Sequence, residues 1–186
     1  MHVNCLTWNV RSLNNKVDRI LAFAFDRDIS LLFIQETWLT DANNHTTAVI
    51  KSHGFKVHHA HRAEKAGGGV AIIYRPCIAL IRVFTTSYES FECVSVKVSL
   101  PGRKSLLCMC IYRTGPMGSF ISDFDNLMTI LQPSFLSLTN FLSAVTSIFI
   151  LIKSPVMQQT FSIICHLMEL TNLLKFLLTK QATHWM

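Results

Sequence analysis

Charged residues are missing from a long stretch in the second half of this chain. Lys, Arg, Asp and Glu together number 28, but only four of them follow Asp125, and none lies between Asn126 and Ile152. The first 125 positions, in contrast, are rich in charges of both signs. The chain therefore combines two compositions, and the uncharged part needs its own explanation.

Two further absences limit the class of protein. Residues 1–12 contain no basic segment followed by an apolar run, so the pattern of a secretory leader is absent. The six cysteines have no regular spacing, which favours reduced thiols over a disulfide framework. We therefore expect an intracellular protein, nuclear or cytoplasmic. The formal net charge of +6 favours polyanion partners such as nucleic acid, although this signal is weak.

Hydrophobic periodicity predicts an α/β fold with a mixed sheet. Ser12 is a candidate N-cap for a first helix, whose apolar residues recur at helical spacing from Val17 to Phe25. A short helix is predicted within the polar stretch 40–53, and a third helix over 120–131. Strands are predicted over these ranges: 3–9, 29–34, 55–59, 70–74, 78–84, 91–100 and 105–112.

Polar residues with useful chemistry follow three of the predicted strands. Glu36 offers the hard oxygen ligands that Mg²⁺ prefers, and Asn9 can bind a phosphate oxygen or orient a metal-bound water. Tyr112 can donate a hydrogen bond to a phosphate oxygen, and Arg113 offers a guanidinium fork for phosphate. Taken singly, each of these residues is more often a cap or a solvated side chain. Their common placement at strand ends indicates one site at a rim of the sheet.

Together and in order, these segments resemble the endonuclease/exonuclease/phosphatase family, most closely its LINE-type retrotransposon branch. The matching motifs are W-N-V-R-S at 8–12, Q-E-T-W-L at 35–39, G-G-G-V-A at 67–71 with Tyr74-Arg75, and I-Y-R at 111–113. The resemblance implies a partial four-layer α/β/β/α sandwich like that of DNase I, and an enzyme that cuts DNA phosphodiesters with Mg²⁺. It also implies that Glu36 holds the metal with help from Asn9, that Tyr112 stabilises the phosphate and that Arg113 binds it.

Two further motifs of that family do not occur in the sequence. The family carries a G-D-F-N segment that orients the nucleophile and the scissile phosphate, and a late S-D-H segment whose His pairs with an Asp. The tight group His58, His59 and His61 supplies neither motif, and we interpret it as part of a surface strand and not as a zinc site. Two functions remain open: a Mg²⁺-dependent endonuclease, or a non-catalytic remnant that binds nucleic acid weakly.

Codon arithmetic offers an explanation for the missing motif and for the uncharged stretch. Val145-Thr146-Ser147-Ile148 is encoded by GTN, ACN, TCN and ATH, and one base upstream these triplets can read Gly-Asp-Phe-Asn. The same shift over residues 178–186 can give T-H-K-A-G-H-T-L-D, which resembles the family at this point. We therefore predict residues 1–132 as the N-terminal part of the family domain and 133–186 as an out-of-frame tail.

The predicted tail has consequences for its structure. We expect this C-terminal third to depart from the native fold of the family and to be poorly structured or helical. A genuine but divergent tail is the alternative. The uncharged residues 135–152 are long enough to span a bilayer, but they include several Ser, Thr and Asn residues. A membrane partner is therefore not expected.

Overall fold

The computed structural model of the chain describes residues 3–41, 44–61, 67–99, 106–113, 117–136, 147–153 and 161–166. These residues form two β-sheets and three helices. The elements are β1 (Cys5–Asn9), α1 (Val17–Asp26), β2 (Leu31–Gln35), α2 (Asn44–Ser52), β3 (Lys56–Ala60), β4 (Val70–Tyr74), β5 (Ala79–Ser87), β6 (Phe91–Ser99), β7 (Leu106–Arg113), α3 (Met117–Leu136), β8 (Ser147–Lys153) and β9 (Phe161–His166).

The first sheet has the strand order β1-β2-β4-β3, with β1 and β2 parallel and the other pairs antiparallel. Its central strands, β2 and β4, are apolar runs that are buried along their whole length, as expected of strands that are covered on both faces. The helix α1 covers one face through Val17, Ile20, Leu21 and Ala24. Ile50 of α2 joins the same apolar cluster.

The second sheet has the order β5-β6-β7-β8-β9 and packs against the first. The core between the sheets contains Phe33 and Ile72 from the first sheet together with Val94, Val96 and Cys108 from the second. On the outer face of the second sheet, Phe120, Phe124 and Leu127 of α3 pack against Phe91, Met109 and Ile111. The layers are therefore helix, sheet, sheet and helix, which confirms the predicted α/β/β/α fold class.

The start of α1 differs from the prediction. The helix begins at Val17 after Lys16, and no side chain caps its N-terminus. Ser12 lies in the preceding loop with a positive φ of 80°, and its backbone N–H donates to the carbonyl oxygen of Glu36 at 2.7 Å. The prediction of Ser12 as the N-cap is wrong because this residue lies in the loop between β1 and α1, before the helix begins, and its N–H is bonded to the end of β2.

The prediction that the chain after residue 132 is poorly structured or helical is wrong in two segments. Ser147–Lys153 and Phe161–His166 form β8 and β9, and β8 runs parallel to β7 at what would otherwise be an open edge of the second sheet. Both strands are rich in β-branched and aromatic residues, which favour extended pairing whatever the origin of the segment. Of the four residues compared with G-D-F-N, 145 and 146 lie outside the described residues.

Within the described part of the chain, no helix is both long and apolar enough to cross a membrane. The uncharged segment 135–152 lies partly outside the described residues.

Candidate active site

The first two strands bring Asn9 and Glu36 to one edge of the first sheet. β1 and β2 are parallel, and Asn9 at the end of β1 is level with Gln35 at the end of β2. Glu36 follows immediately, and the N–H of Val10 continues the ladder by donating to the carbonyl oxygen of Gln35 at 3.0 Å. Because parallel strands end at the same edge, both side chains emerge there.

Tyr112 reaches the same point from the opposite sheet. Its hydroxyl donates to Oε1 of Glu36 at 3.1 Å, and Nδ2 of Asn9 donates to the same oxygen at 2.7 Å. These partners lie 76 and 27 positions from Glu36 along the chain. The three residues selected from the sequence therefore lie in direct contact, at the rim where the two sheets meet.

Two oxygen atoms in this cluster are available to a ligand. Oδ1 of Asn9 is buried, and no described group gives it a hydrogen bond. Among the described residues, no donor reaches Oε2 of Glu36, since both hydrogen bonds to this carboxylate arrive at Oε1. A buried acceptor without a donor is costly, and it is commonly satisfied by water or a cation. An amide oxygen beside a carboxylate fits the donor set that Mg²⁺ uses.

The backbone of Glu36 is held in an unfavourable conformation. Its φ is +53°, in the left-handed region, which costs a residue with a side chain about 1–2 kcal/mol. Hydrogen bonds from the loop after β1 hold one side of it: Ser12 N–H donates to the Glu36 carbonyl, and Leu13 N–H donates to that of Thr37 at 2.8 Å. This turn directs the carboxylate out of the strand and towards Asn9. Such conformations persist where the surrounding structure fixes them, and they are common at functional sites.

The glycine run before β4 supports the other side of this turn. The N–H groups of Thr37 and Trp38 donate to the carbonyl oxygens of Gly69 and Gly68 at 3.1 and 2.9 Å. Gly69 has a φ of +83°, and a Cβ there would lie 2.5 Å from Oγ1 of Thr37. The third glycine of the motif is therefore required by space as well as by conformation.

Glu92 belongs to this arrangement, although sequence reasoning did not select it. It lies on β6 opposite Tyr112, its side chain is fully buried, and its Oε2 accepts a 2.5 Å hydrogen bond from the N–H of Gly69. The alternation of apolar and polar residues along β6 does indicate that Glu92 is buried. Glu92 shares the strand face of Val94 and Val96, which pack in the core between the sheets.

Arg113 is not brought to the cluster. It follows Tyr112 on β7, and successive residues of a strand point to opposite faces. Tyr112 contributes to the core between the sheets, whereas Met109 and Ile111, which share the face of Arg113, pack against α3. The phosphate-binding role of Arg113 remains a prediction, and this geometry gives it no support.

Tyr74 and Arg75, which end the glycine-rich motif, have structural contacts at the other end of the sheet. The Tyr74 hydroxyl lies 3.1 Å from Nε2 of His58, and Arg75 forms a 2.8 Å ion pair with Asp28. Tyr74 is level with Leu31 at the start of β2, whereas Glu36 follows the end of that strand. These two motif residues therefore stabilise the sheet at a distance from the Glu36 cluster.

The three clustered histidines have separate surroundings. His58 stacks on Tyr74, whereas the rings of His59 and His61 lie 6.1 Å apart. Burial lowers the pKa of His58 and of His59. In the part of the chain that the structure describes, no group of three or more His, Cys, Asp or Glu side chains is placed to hold a metal ion.

Comparison with known families gives a match to the first half of the chain. A family model described as the Endonuclease/Exonuclease/phosphatase family matches residues 6–108, which is more than half of the 186 residues. The match includes Asn9, Glu36, the glycine run and Glu92. Comparison with curated protein sequences finds no match.

Several solved structures share this fold. Truncated TDP2 from Caenorhabditis elegans is 12% identical with a TM-score of 0.55, over 81% of this chain and 61% of that chain. The human Nocturnin catalytic domain, solved with a bound sulfate anion, is 11% identical with a TM-score of 0.58, over 81% of this chain and 63% of that chain. NExo, a 3'-5' exonuclease from Neisseria meningitidis, is 18% identical with a TM-score of 0.53, over 79% of this chain and 56% of that chain.

At these identities the likeness shows the fold alone. This chain spans 56% to 63% of the length of those three structures. A further structure of NExo, described there as a 3' phosphatase, contains a product DNA hairpin.

Proposed function

The chain belongs to the endonuclease/exonuclease/phosphatase family, and we propose on that basis that it derives from a Mg²⁺-dependent endonuclease domain acting on DNA phosphodiesters. The observation that carries the proposal is the contact of Asn9 and Tyr112 with one carboxylate oxygen of Glu36. The sequence selected these three residues by their chemistry, by their placement at strand ends and by the family resemblance, and a structural role would not require all three polar groups to converge at one rim. DNA as the substrate is supported by the basic balance of the chain and by the DNA hairpin bound to NExo.

Glu36 and Asn9 would hold the metal. The carboxylate supplies a charged oxygen, and the partnerless Oδ1 of Asn9 supplies a neutral oxygen within the same cluster. When bound, Mg²⁺ polarises a phosphate oxygen and offsets the negative charge that develops during hydrolysis. The left-handed backbone of Glu36 fixes the carboxylate before any ligand arrives, so little reorganisation would accompany binding.

Tyr112 would act on the phosphate itself. Hydrolysis forms a bond from a water oxygen to phosphorus and breaks the bond to one sugar oxygen, and charge grows on the phosphate oxygens in between. A phenol O–H is a donor of the kind that stabilises such charge. Tyr112 is buried, and the contact of its hydroxyl with Glu36 places that hydroxyl at the rim beside the carboxylate. A substrate phosphate would compete with Glu36 for the hydrogen bond that the Tyr112 hydroxyl donates.

The finer proposal is that the chain descends from a LINE-type retrotransposon and does not cut DNA as written. The motifs Q-E-T-W-L and I-Y-R support the LINE-type origin. Inactivity is supported by the sequence, which contains neither G-D-F-N nor S-D-H and therefore lacks the residues that orient and activate the nucleophile in that family. A remnant of this kind would retain weak binding to nucleic acid.

Nicking of supercoiled plasmid in Mg²⁺ tests both levels of the proposal. The 186-residue chain should nick no faster than its Glu36→Ala variant. A chain with the upstream frame restored after about residue 133, and extended to S-D-H, should nick in a Glu36-dependent manner. Robust Glu36-dependent nicking by the chain as written would contradict inactivity, and a restored chain without activity would contradict the endonuclease assignment.

Metal binding needs a separate measurement because it does not require turnover. We expect millimolar Mg²⁺ or Mn²⁺ to raise the melting temperature of the chain, since a ligand of the folded state stabilises it. Glu36→Gln keeps an oxygen that can accept from Asn9 and Tyr112 but removes the charge, so the shift should disappear. Asp26→Asn removes an exposed carboxylate on α1 and should leave the shift unchanged. An equal shift in the Glu36→Gln variant would exclude this metal site.

A further inference from the structure

Trp38 presents an exposed indole beside the Glu36 cluster. Its side chain is 46% exposed, although it follows the fully buried Thr37 and precedes the buried Leu39. Its φ is +55°, and its N–H donates to the carbonyl oxygen of Gly68. The indole Nε1 lies 3.5 Å from the position that a Cβ on Gly67 would take, so the ring rests against glycine backbone. A large aromatic surface is therefore fixed at the rim instead of being buried.

Arg11 lies on the other side of Glu36. It is exposed, and like Trp38 it has a left-handed backbone, with a φ of +46°. The hydrogen bond from Ser12 N–H to the Glu36 carbonyl places it alongside the end of β2. Lys16 directs its ammonium to the carbonyl oxygens of Val10 and Arg11, which fixes this loop. Within the described part of the chain, the Arg11 guanidinium has no hydrogen-bond or ion-pair partner.

We propose that Trp38 and Arg11 form a binding site for an unpaired nucleotide, in which the indole stacks on the base and the guanidinium pairs with a neighbouring phosphate. The inference deepens the proposed function, because it names the form of nucleic acid that the Glu36 site accepts. Trp38 is two residues from Glu36, so their Cα atoms lie at most about 7 Å apart and one short piece of strand can reach both residues.

The choice of an unpaired nucleotide follows from the geometry of stacking. Every base has a face that can stack on an aromatic ring, and such contacts bind single strands with little regard to sequence. In a continuous duplex both faces of each base are already covered by neighbours. An indole held rigidly at the rim therefore selects a base that has left the stack, as in a single strand, a loop or a flap.

Trp8 lies near the same rim but has a structural role. It is 44% exposed, but its ring makes an edge-to-face contact with Phe23 of α1 at 6.0 Å. It precedes Asn9 on β1, so it points away from the face that carries Asn9. Similar exposure combined with a different position makes Trp8 a matched control for Trp38.

Binding of fluorescently labelled single-stranded DNA to the 186-residue chain, measured by anisotropy in EDTA, tests the site without cleavage. Trp38→Ala should weaken binding roughly tenfold, which is a typical loss for one stacking aromatic. Trp38→Phe should retain most of the affinity, whereas Trp38→Leu, which keeps apolar bulk without a flat π-face, should bind as weakly as the alanine variant. Trp8→Phe should bind like the unmodified chain. A fully paired duplex of the same length should bind equally to all of these variants.

The salt dependence tests Arg11. Arg11→Gln should lower the slope of log affinity against log salt concentration by about 0.7, the value for one phosphate contact on a single strand. Arg19→Gln, which removes an exposed charge on α1, should leave the slope unchanged.

Equal binding by the Trp38→Phe and Trp38→Leu variants, both checked for native circular dichroism, would overturn the proposal, as would an equal loss on duplex DNA. Because binding is measured in EDTA, its result does not depend on metal-dependent cleavage. The stacking inference and the endonuclease assignment can therefore fail separately. Stacking at Trp38 without any Glu36-dependent cleavage in a restored chain would leave this inference standing and remove the endonuclease assignment. Glu36-dependent cleavage by the restored chain, together with no effect of the Trp38 substitutions on binding, would remove this inference and leave the endonuclease assignment standing.

Discussion

The backbone N–H of Gly69 donates a 2.5 Å hydrogen bond to Oε2 of Glu92, a carboxylate that is fully buried between the two sheets. This bond connects the second sheet to the glycine run, and the Gly69 carbonyl in turn accepts from the N–H of Thr37, next to Glu36. Glu92 also lies level with Tyr112 on the neighbouring strand. The buried carboxylate of Glu92 is thus in contact with the glycine run that holds the turn at Glu36, and it lies beside Tyr112.

Removal of this acceptor should destabilise the fold. Glu92→Ala leaves a buried N–H of Gly69 without a partner, and we expect the free energy of unfolding to fall by about 3 kcal/mol, as for a lost hydrogen bond to a charged group. Glu92→Gln retains an oxygen acceptor and should cost about half as much. Urea denaturation measures both. Glu89→Gln, at an exposed position before β6, should change stability by less than about 0.5 kcal/mol.

A Glu92→Gln variant more stable than the unmodified chain would contradict this account. It would mean that the cost of burying the carboxylate exceeds what its hydrogen bonds return, as happens for some buried charges.

Substitution of Gly69 separates the effect of conformation from that of space. Gly69→Ala should lower the free energy of unfolding by about 3 kcal/mol, because a positive φ costs about 1–2 kcal/mol and the clash with Thr37 Oγ1 adds to it. Gly54→Ala is the matched control, since Gly54 has a φ of +78° but no atom within 4 Å of its Cβ position. It should show the conformational cost alone.

The steric part of that prediction can be tested further. Thr37→Ala removes the Oγ1 that the new methyl group would meet, so the double variant should recover part of the loss in a double-mutant cycle. Equal losses for Gly69→Ala and Gly54→Ala would show that the close approach to Thr37 contributes nothing.

The stability of the chain should depend on pH through His59. Burial lowers the pKa of His59, and the nearby His61 adds to this effect while Asp41 opposes it. Its Nδ1 is buried and has no hydrogen-bond partner among the described residues, so protonation adds an unpaired donor. The unfolded imidazole binds its proton at a higher pH, about 6.5, than the folded one. Stability is therefore complete above that pH and decreases as the pH falls towards the pKa of the folded state.

Urea denaturation at about pH 7.5 and about pH 5.5, on either side of that unfolded pKa, measures this change. The midpoint should fall at the lower pH, and His59→Gln should reduce the fall. An undiminished fall in the His59→Gln variant would assign the pH dependence to other groups.

The sequence predicted the parts of the fold whose signals are local. β2 and β4 are continuous apolar runs, and their burial on both faces is what such runs favour. The placement of Asn9 and Glu36 at the ends of strands correctly indicated one rim. The same placement predicted Tyr112 at this rim, but strand ends alone do not show that its hydroxyl contacts Glu36, because the packing of the two sheets brings it there.

Glu92 and Ser12 show why other features of the site were not predicted from the sequence. A charged side chain by itself favours solvent, but the alternation of β6 puts Glu92 on the face of Val94 and Val96, which the first sheet covers. Ser12 matches the local pattern of an N-cap, but the loop turns through two residues with positive φ and uses its N–H to hold Glu36. In both cases a contact distant in sequence overrides the local preference. β8 shows the converse, since its apolar residues form a strand whether or not that segment belongs to the original frame.

Tyr112→Phe offers a test of the proposed chemistry in a chain with the upstream frame restored. The phenol oxygen contacts Glu36, and its proton is proposed to stabilise the charge that grows on the phosphate. Loss of one such donor should lower kcat roughly 100-fold with little change in KM, because the interaction strengthens in the transition state. Tyr74→Phe removes a hydroxyl that contacts His58 at the far end of the first sheet, and it should leave both constants unchanged. Equal effects of the two substitutions, or a change in KM alone, would show that the Tyr112 hydroxyl supports the fold or the substrate and not the reacting phosphate.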